Sequence, residues 1–321
     1  MQAKWLRSWA CAAMMFSGVA CAASWPSKPV TMVVPYPAGG ATDVVARAIG
    51  EKLTQKWGQT VVVENRAGAG TTIGAASVAR AAPDGQTLFM TTSAHTISAH
   101  LYKNLSYDPV RDFAPITLVT KVPLVLVINP DIPAKDLKSF LEYLKKSDGS
   151  VNFASPGNGT AQHLSGELFK IATQSKITHV PYRGDAPAIT DLAGGQVQMM
   201  LATITAVLPM IESGRLRALA VANDKRVSAL ADVPTFTEAG MPGFQAATWF
   251  GLLAPDATDP ARIAQIHQDV AQIVDTPDMR KRLESLGGEV VNSNPQEFAE
   301  FMKAETARWG EAVKASGTVA Q

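Results

Sequence analysis

The chain has 321 residues, 46% of them hydrophobic, with 29 basic and 28 acidic side chains for a formal net charge of +1. That near-balance gives no electrostatic footprint for nucleic acid. The composition is that of a globular protein, and no stretch reaches the roughly 20 apolar residues of a spanning helix. The first 23 residues read as a secretory signal peptide. Lys4 and Arg7 supply the positive start, residues 9–19 form an uncharged apolar run, and Ala20-Cys21-Ala22 places small residues at the cleavage point. Cleavage after Ala22 or Ala23 removes both cysteines, Cys11 and Cys21, and leaves 27 basic against 28 acidic side chains. Disulfides and thiolate metal sites are then excluded. The alternative is lipidation at Cys21, for which Gly18-Val19-Ala20-Cys21 is a poor lipobox.

Residues 30–34 predict a buried strand. The loop Pro35-Tyr36-Pro37-Ala38-Gly39-Gly40-Ala41 follows, then a helix capped by Thr42, with Asp43 in its first turn and Val44, Val45, Ile49 and Leu53 on one face. A strand over 60–64, the glycine loop Gly68-Ala69-Gly70, an Ala-rich helix over 73–81 and a strand over 87–91 come next. The middle repeats the pattern. Strands are expected at 124–128, 151–154, 177–180, 198–201 and 216–221, with helices at 134–146 and from Thr160, the latter with Leu164, Leu168 and Ile171 along one side. After a strand at 249–253 the chain turns helical over 260–274, 277–286 and 295–315, each stretch opening on proline. Strands alternating with helices define the α/β class, with a mostly parallel sheet flanked by helices.

Each half of the chain thus carries a strand, a glycine-rich loop and a helix start, over 35–42 and over 155–160. Free N–H groups and the partial positive charge of a helix amino terminus suit an anion. Two such loops facing each other across a cleft would hold a small carboxylate at the carboxyl ends of the strands, and closure about a hinge is the expected motion.

Other chemistries fit less well. Gly68-Ala69-Gly70-Thr71-Thr72-Ile73-Gly74 has one residue too many for a dinucleotide fingerprint. His163 and Glu167 lie one helical turn apart, but two ligands do not make a metal site. His95 follows a strand end and suits either a ligand rim or a hydrogen-bonded loop. Ser93, Ser155, His95, His163, Asp43 and Asp191 are the raw material of a hydrolase, yet no G-x-S-x-G elbow is present. Trp249 and Phe250 read as core. Arg183 is either the partner of a second ligand carboxylate or a solvated loop residue.

Several blocks, taken together, resemble one family. Val33-Val34-Pro35-Tyr36-Pro37-Ala38-Gly39-Gly40-Ala41-Thr42-Asp43 is similar to the opening motif of the Bug proteins, the periplasmic solute receptors of tripartite tricarboxylate transporters. Val63-Glu64-Asn65-Arg66-Ala67-Gly68-Ala69-Gly70, Pro83-Asp84-Gly85, Ser155-Pro156-Gly157-Asn158-Gly159-Thr160-Ala161-Gln162-His163-Leu164, Val180-Pro181-Tyr182-Arg183-Gly184, Leu216-Arg217-Ala218-Leu219-Ala220-Val221 and Trp249-Phe250-Gly251-Leu252-Leu253-Ala254-Pro255 follow in the family's order. The resemblance implies a two-lobed periplasmic-binding-protein type II fold. One lobe would comprise residues 24–125 plus 247–321 and the other residues 126–246, with a small carboxylate clasped in the cleft between them. It also implies that Tyr36, Ala38, Gly39, Gly40 and Asp43 hold the ligand from the first lobe and Ser155, Gly159, Thr160 and His163 from the second, with Thr92, Ser93 and His95 on the rim.

Two positions depart from the family's pattern. Ala202-Thr203 stands where relatives carry an acidic residue, which argues against a ligand with a free ammonium and for a bulkier or more apolar acid. Asp185 stands where a small residue is common, either as a replacement acceptor or as a partner for Arg183. The resemblance implies a non-enzymatic receptor without metal or organic cofactor, delivering its ligand to inner-membrane transporter subunits; a receptor that must clasp a ligand and dock is expected to be a monomer. A sensor feeding a signalling membrane protein would share fold and pocket. A secreted hydrolase would require a Ser–His pair within about 3 Å in the cleft.

Overall fold

The computed structural model describes residues 25–319, so the expected leader and both cysteines lie outside the described residues. No helix among the described residues is long and apolar enough to cross a membrane.

The first lobe opens with β1 (Val30–Val34), α1 (Ala41–Trp57), β2 (Val61–Asn65), α2 (Thr72–Ala79), β3 (Thr87–Thr92) and α3 (Ser93–Leu101). β1 lies between β2 and β3 and is parallel to both. Its residues are apolar almost throughout because helices cover both faces. Met32 and Val34 pack with Val45, Ile49 and Leu53 of α1, while Val33 points to the opposite core with Phe89 and Phe298. The α1 stripe runs as expected, but Gly40 rather than Thr42 is its N-cap. Thr42 lies inside the first turn, and the Asp43 side chain reaches back to accept from Gly39 N at 3.0 Å.

β4 (Phe113–Ile128) then crosses between the lobes. Through Pro123 it pairs antiparallel with β9 (Ala247–Pro255), and from Leu124 onward with β7 (Met199–Thr203) and β8 (Arg217–Val221). Only its last five residues were expected as strand. Proline is a strand breaker in local sequence, and β4 accommodates Pro115 and Pro123 where a ladder donor is dispensable: Pro115 borders a register shift, and Pro123 sits at the crossing point.

The second lobe adds α4 (Leu137–Lys146), β5 (Asn152–Ser155), α5 (Ala161–Thr173), β6 (Thr178–Pro181), α6 (Asp185–Ala193) and α7 (Ile204–Glu212). β5 is parallel to both β6 and β7. Thr160 caps α5 as expected, its hydroxyl accepting from His163 N at 3.2 Å. The apolar side of α5 differs from the expectation: Leu164 and Phe169 are buried, whereas Ile171 is half exposed.

The chain returns through β9, which lies between β3 and β4 and is antiparallel to each. It ends in α8 (Pro260–Val274), α9 (Pro277–Ser285), β10 (Glu289–Val290) and α10 (Pro295–Ser316). Trp249 and Phe250 are core residues on opposite faces of β9. α10 is fixed by buried Glu305, whose Oε2 accepts from Trp249 Nε1 at 3.1 Å and Trp309 Nε1 at 2.9 Å. Its Trp309 and Val313 pack with Ile97 and Leu101 of α3 and with Ala161 and Leu164 of α5, so one apolar cluster spans both lobes.

Candidate functional site

A cavity of about 600 Å³ lies between the lobes. From the first lobe it is lined by Tyr36 and its flanking prolines, by Gly68 to Thr71 and by Tyr102; from the second by Pro156 to Asn158, Thr160 and Pro181 to Gly184. Arg183 is the one charged side chain among these lining residues. It is exposed and forms no ion pair among the described residues, so the expected alternative of pairing with Asp185 is not realised.

The first-lobe loop is held from below. Asp43 accepts from Gly39 N, from Arg47 Nε at 2.9 Å and from Asn65 Nδ2 at 3.0 Å. Asn65 Nδ2 also donates to Tyr36 O at 2.9 Å. Burial raises the Asp43 carboxyl, but the hydrogen bonds from Arg47, Gly39 and Asn65 outweigh it and leave it below its ordinary range. Asp43 therefore shapes the loop and has its carboxylate already engaged. The Tyr36 hydroxyl lies 3.1 Å from Thr92 Oγ1, and burial pushes the phenol up. Ala38 and Gly39 are exposed on the loop, and Gly40 is buried at the helix start.

The rim residues divide. Thr92 caps α3 and bonds Tyr36, and Ser93 Oγ lies 2.9 Å from Thr248 Oγ1. His95 turns away from the cavity: its Nε2 bonds Pro109 O at 2.7 Å, and its ring sits among Phe89, Tyr107 and Phe113. Burial lowers it to about 4, so it is neutral near pH 7.

In the second lobe, Gly159 (φ +75°) turns the chain so that its N–H donates to His163 Nδ1 at 3.2 Å. Thr160 donates to Gly157 O at 2.8 Å. Ser155 lies beneath the lining residues, wholly buried, with Oγ 2.7 Å from His179 Nε2. The His179 ring stacks on His163 with centroids 3.8 Å apart. Burial lowers His163 to about 4, and burial together with the charges of His163 and Lys170 lowers His179 to about 3. The pair has the distance a hydrolase would need but not its chemistry. Such a histidine is a poor base at neutral pH, no carboxylate orients it among the described residues, and Ser155 Oγ is also bonded to Gly157. No cluster of three potential metal ligands occurs among the described residues.

Ala202 does not face the cavity. It is fully buried on β7, packed with Val125, Ala154 and Val207 in a second-lobe core, so a carboxylate there would be sealed in apolar surroundings rather than offered to a ligand. Asp185 is the unexpected contact. Its Oδ2 accepts from Ala41 N of the opposite lobe at 3.4 Å, and its Oδ1 is sealed from solvent without a partner among the described residues. Burial pushes the carboxyl up to about 6, with the Ala41 N–H opposing the rise.

The glycine loop Gly68-Ala69-Gly70 is part of the cavity wall. A side chain on Gly70 (φ +59°) would collide with the Tyr102 hydroxyl and Asn158 O. The sequence carried no local signal for Tyr102, whose approach depends on how α3 packs; a second glycine in a short loop was the available hint for Gly70.

Two α/β lobes joined by long crossing strands, with a cavity between opposed loops and helix starts, define a bilobal solute-binding receptor. Residues 45–318 match the model of the Tripartite tricarboxylate transporter family receptor, and the chain belongs to that family, a group of periplasmic solute receptors rather than enzymes. It is 36% identical to Protein BugT of Bordetella pertussis over 92% of this chain and 91% of that protein. Among solved structures it is similar to an R. palustris protein with adipate, at 34% identity and TM-score 0.89 over 92% of this chain and 99% of the other. It is also similar to MatC from Rhodopseudomonas palustris with bound malate, at 36% identity and TM-score 0.85 over 90% and 100%.

Proposed function

We propose that the protein captures a small organic carboxylate in the interlobe cavity and hands it to the membrane subunits of a tripartite tricarboxylate-type transporter. The lobes 24–125 plus 247–321 and 126–246 are the two bodies that close. The protein acts as a monomer in the periplasm after cleavage near Ala22 or Ala23. The observation that carries the reading is the cavity itself: both lobes wall it, the Thr160-capped start of α5 is part of its lining, and its one lining charge is the cation Arg183, which has no ion-pair partner among the described residues. Adipate and malate in two structural neighbours point to the same ligand class.

Tyr36, Thr160 and Arg183 make the first contacts, and the lining glycines Gly68, Gly70 and Gly157 let the backbone approach. A thermal-shift screen of the chain from Ser24 against mono-, di- and tricarboxylates tests this. A ligand that binds only the folded state raises the melting temperature with concentration. The expected result is a rise with at least one acid, lost on Arg183→Ala. No rise with any carboxylate, under conditions that strip co-purified ligand, would sink the reading.

A further inference from the structure

The amino terminus of α1 has the features of an anion seat, yet a carboxylate of the protein already occupies it. Asp185, at the first turn of α6 in the second lobe, reaches across the cleft to Ala41 N at 3.4 Å. It lies so close to the Gly40 backbone that a Cβ on Gly40 would stand 3.1 Å from Oδ2. The adjacent Gly39 N–H is consumed by Asp43. A ligand carboxylate placed at α1 would meet Asp185 directly, and two carboxylates in one sealed site repel strongly. The remaining Asp185 oxygen has no hydrogen-bond partner among the described residues. A carboxylate oxygen shut off from solvent and left unsatisfied is costly, and such a cost is characteristic of functional positions.

The cavity's charge is asymmetric in the same sense. Its lining offers one cation, Arg183, on the second lobe, and the rest of the wall is tyrosine, proline, small residues and backbone. We infer that Asp185 is a specificity-determining residue, a resident carboxylate that bars a second acid group from the α1 seat, so that this receptor selects monocarboxylates with an apolar or aromatic body. The acid group pairs with Arg183 near the start of α5, and the body lies against Tyr36, Tyr102 and Tyr182. The inference rests on the carboxylate-receptor reading above and narrows its ligand class.

Isothermal titration calorimetry at pH 8 with matched pairs, hexanoate against adipate and benzoate against terephthalate, tests it on the wild type, Asp185→Asn and Asp185→Gly. Asparagine keeps the shape without the charge, so the outcome does not hang on the glycine variant folding. The expected result is that the wild type binds the monoacid of at least one pair tenfold or more tightly than its diacid. Each Asp185 variant that folds then raises the diacid-to-monoacid affinity ratio at least tenfold. A wild type that binds diacids as tightly as monoacids overturns the inference while leaving the receptor reading intact, as does a ratio unmoved in Asp185→Asn. A wild type that binds no carboxylate, alone or in the broader screen, overturns both.

Discussion

At the scale of single residues, the site sets groups that oppose folding against groups that support it. Asp185 has a folded-state pKa of about 6, above its ordinary value of 3.8. The folded protein therefore binds this proton more tightly than the unfolded chain, and the stabilisation present below pH 3.8 is lost as pH rises through 6. A shift of about 2 pH units corresponds to at most about 3 kcal/mol at higher pH. Asp185→Asn is expected to melt several degrees above the wild type at pH 8, with the difference shrinking to nothing by pH 4. A constant offset across that range would mean that the charge is not the cause. His95, His163 and His179 act in the opposite direction: each is held below 6.5, so its contribution is whole above pH 6.5 and lost as pH falls toward 4 or below. Of these details, the cap by Thr160 was legible because a capping threonine acts on a neighbour three residues away. The contact between Asp185 and Ala41 was not, because it joins positions 144 residues apart and exists only once two lobes meet.

At the scale of elements, α10 joins the two lobes through its side chains. Glu305 accepts from two tryptophan N–H groups, one on β9 and one on α10 itself, and Arg308 covers it from the solvent side at 2.7 Å. Glu305→Ala strands both indole donors and opens a small cavity, at an expected cost of about 3 kcal/mol. A urea midpoint unchanged from the wild type would show that water replaces the carboxylate without loss. Helices such as α8 and α10 were readable because proline and a capping residue mark their starts and apolar residues recur along one face. The first eleven residues of β4 were not, because proline is a breaker in local sequence and harmless only where the partner strand makes no demand on its nitrogen.

At the scale of the whole molecule, the two-lobed plan follows from the repeated strand, loop and helix order, and the family motifs fix which loops face the cleft. The cavity lining does not follow from either. Tyr102, Gly70 and Asn158 meet only through the way the lobes come together, whereas Ala202, read as a selectivity position, is carried into a core by the alternation of β7. A lobe excised as residues 126–246 would keep only the last three residues of β4 to pair with β7 and β8. It is expected to give the collapsed amide spectrum of an unfolded chain; sharp, dispersed resonances would show instead that the second lobe stands alone.

That shared strand also governs how the molecule comes apart. Because β4 belongs to both sheets, neither can melt without exposing the other's backbone, and α10 ties them again on the far side of the fold. Calorimetry should therefore record one transition whose van't Hoff and calorimetric enthalpies agree. A ligand touching only one wall of the cavity should carry the entire peak upward, so that the receptor reports occupancy as a single thermodynamic body even though it grips with two.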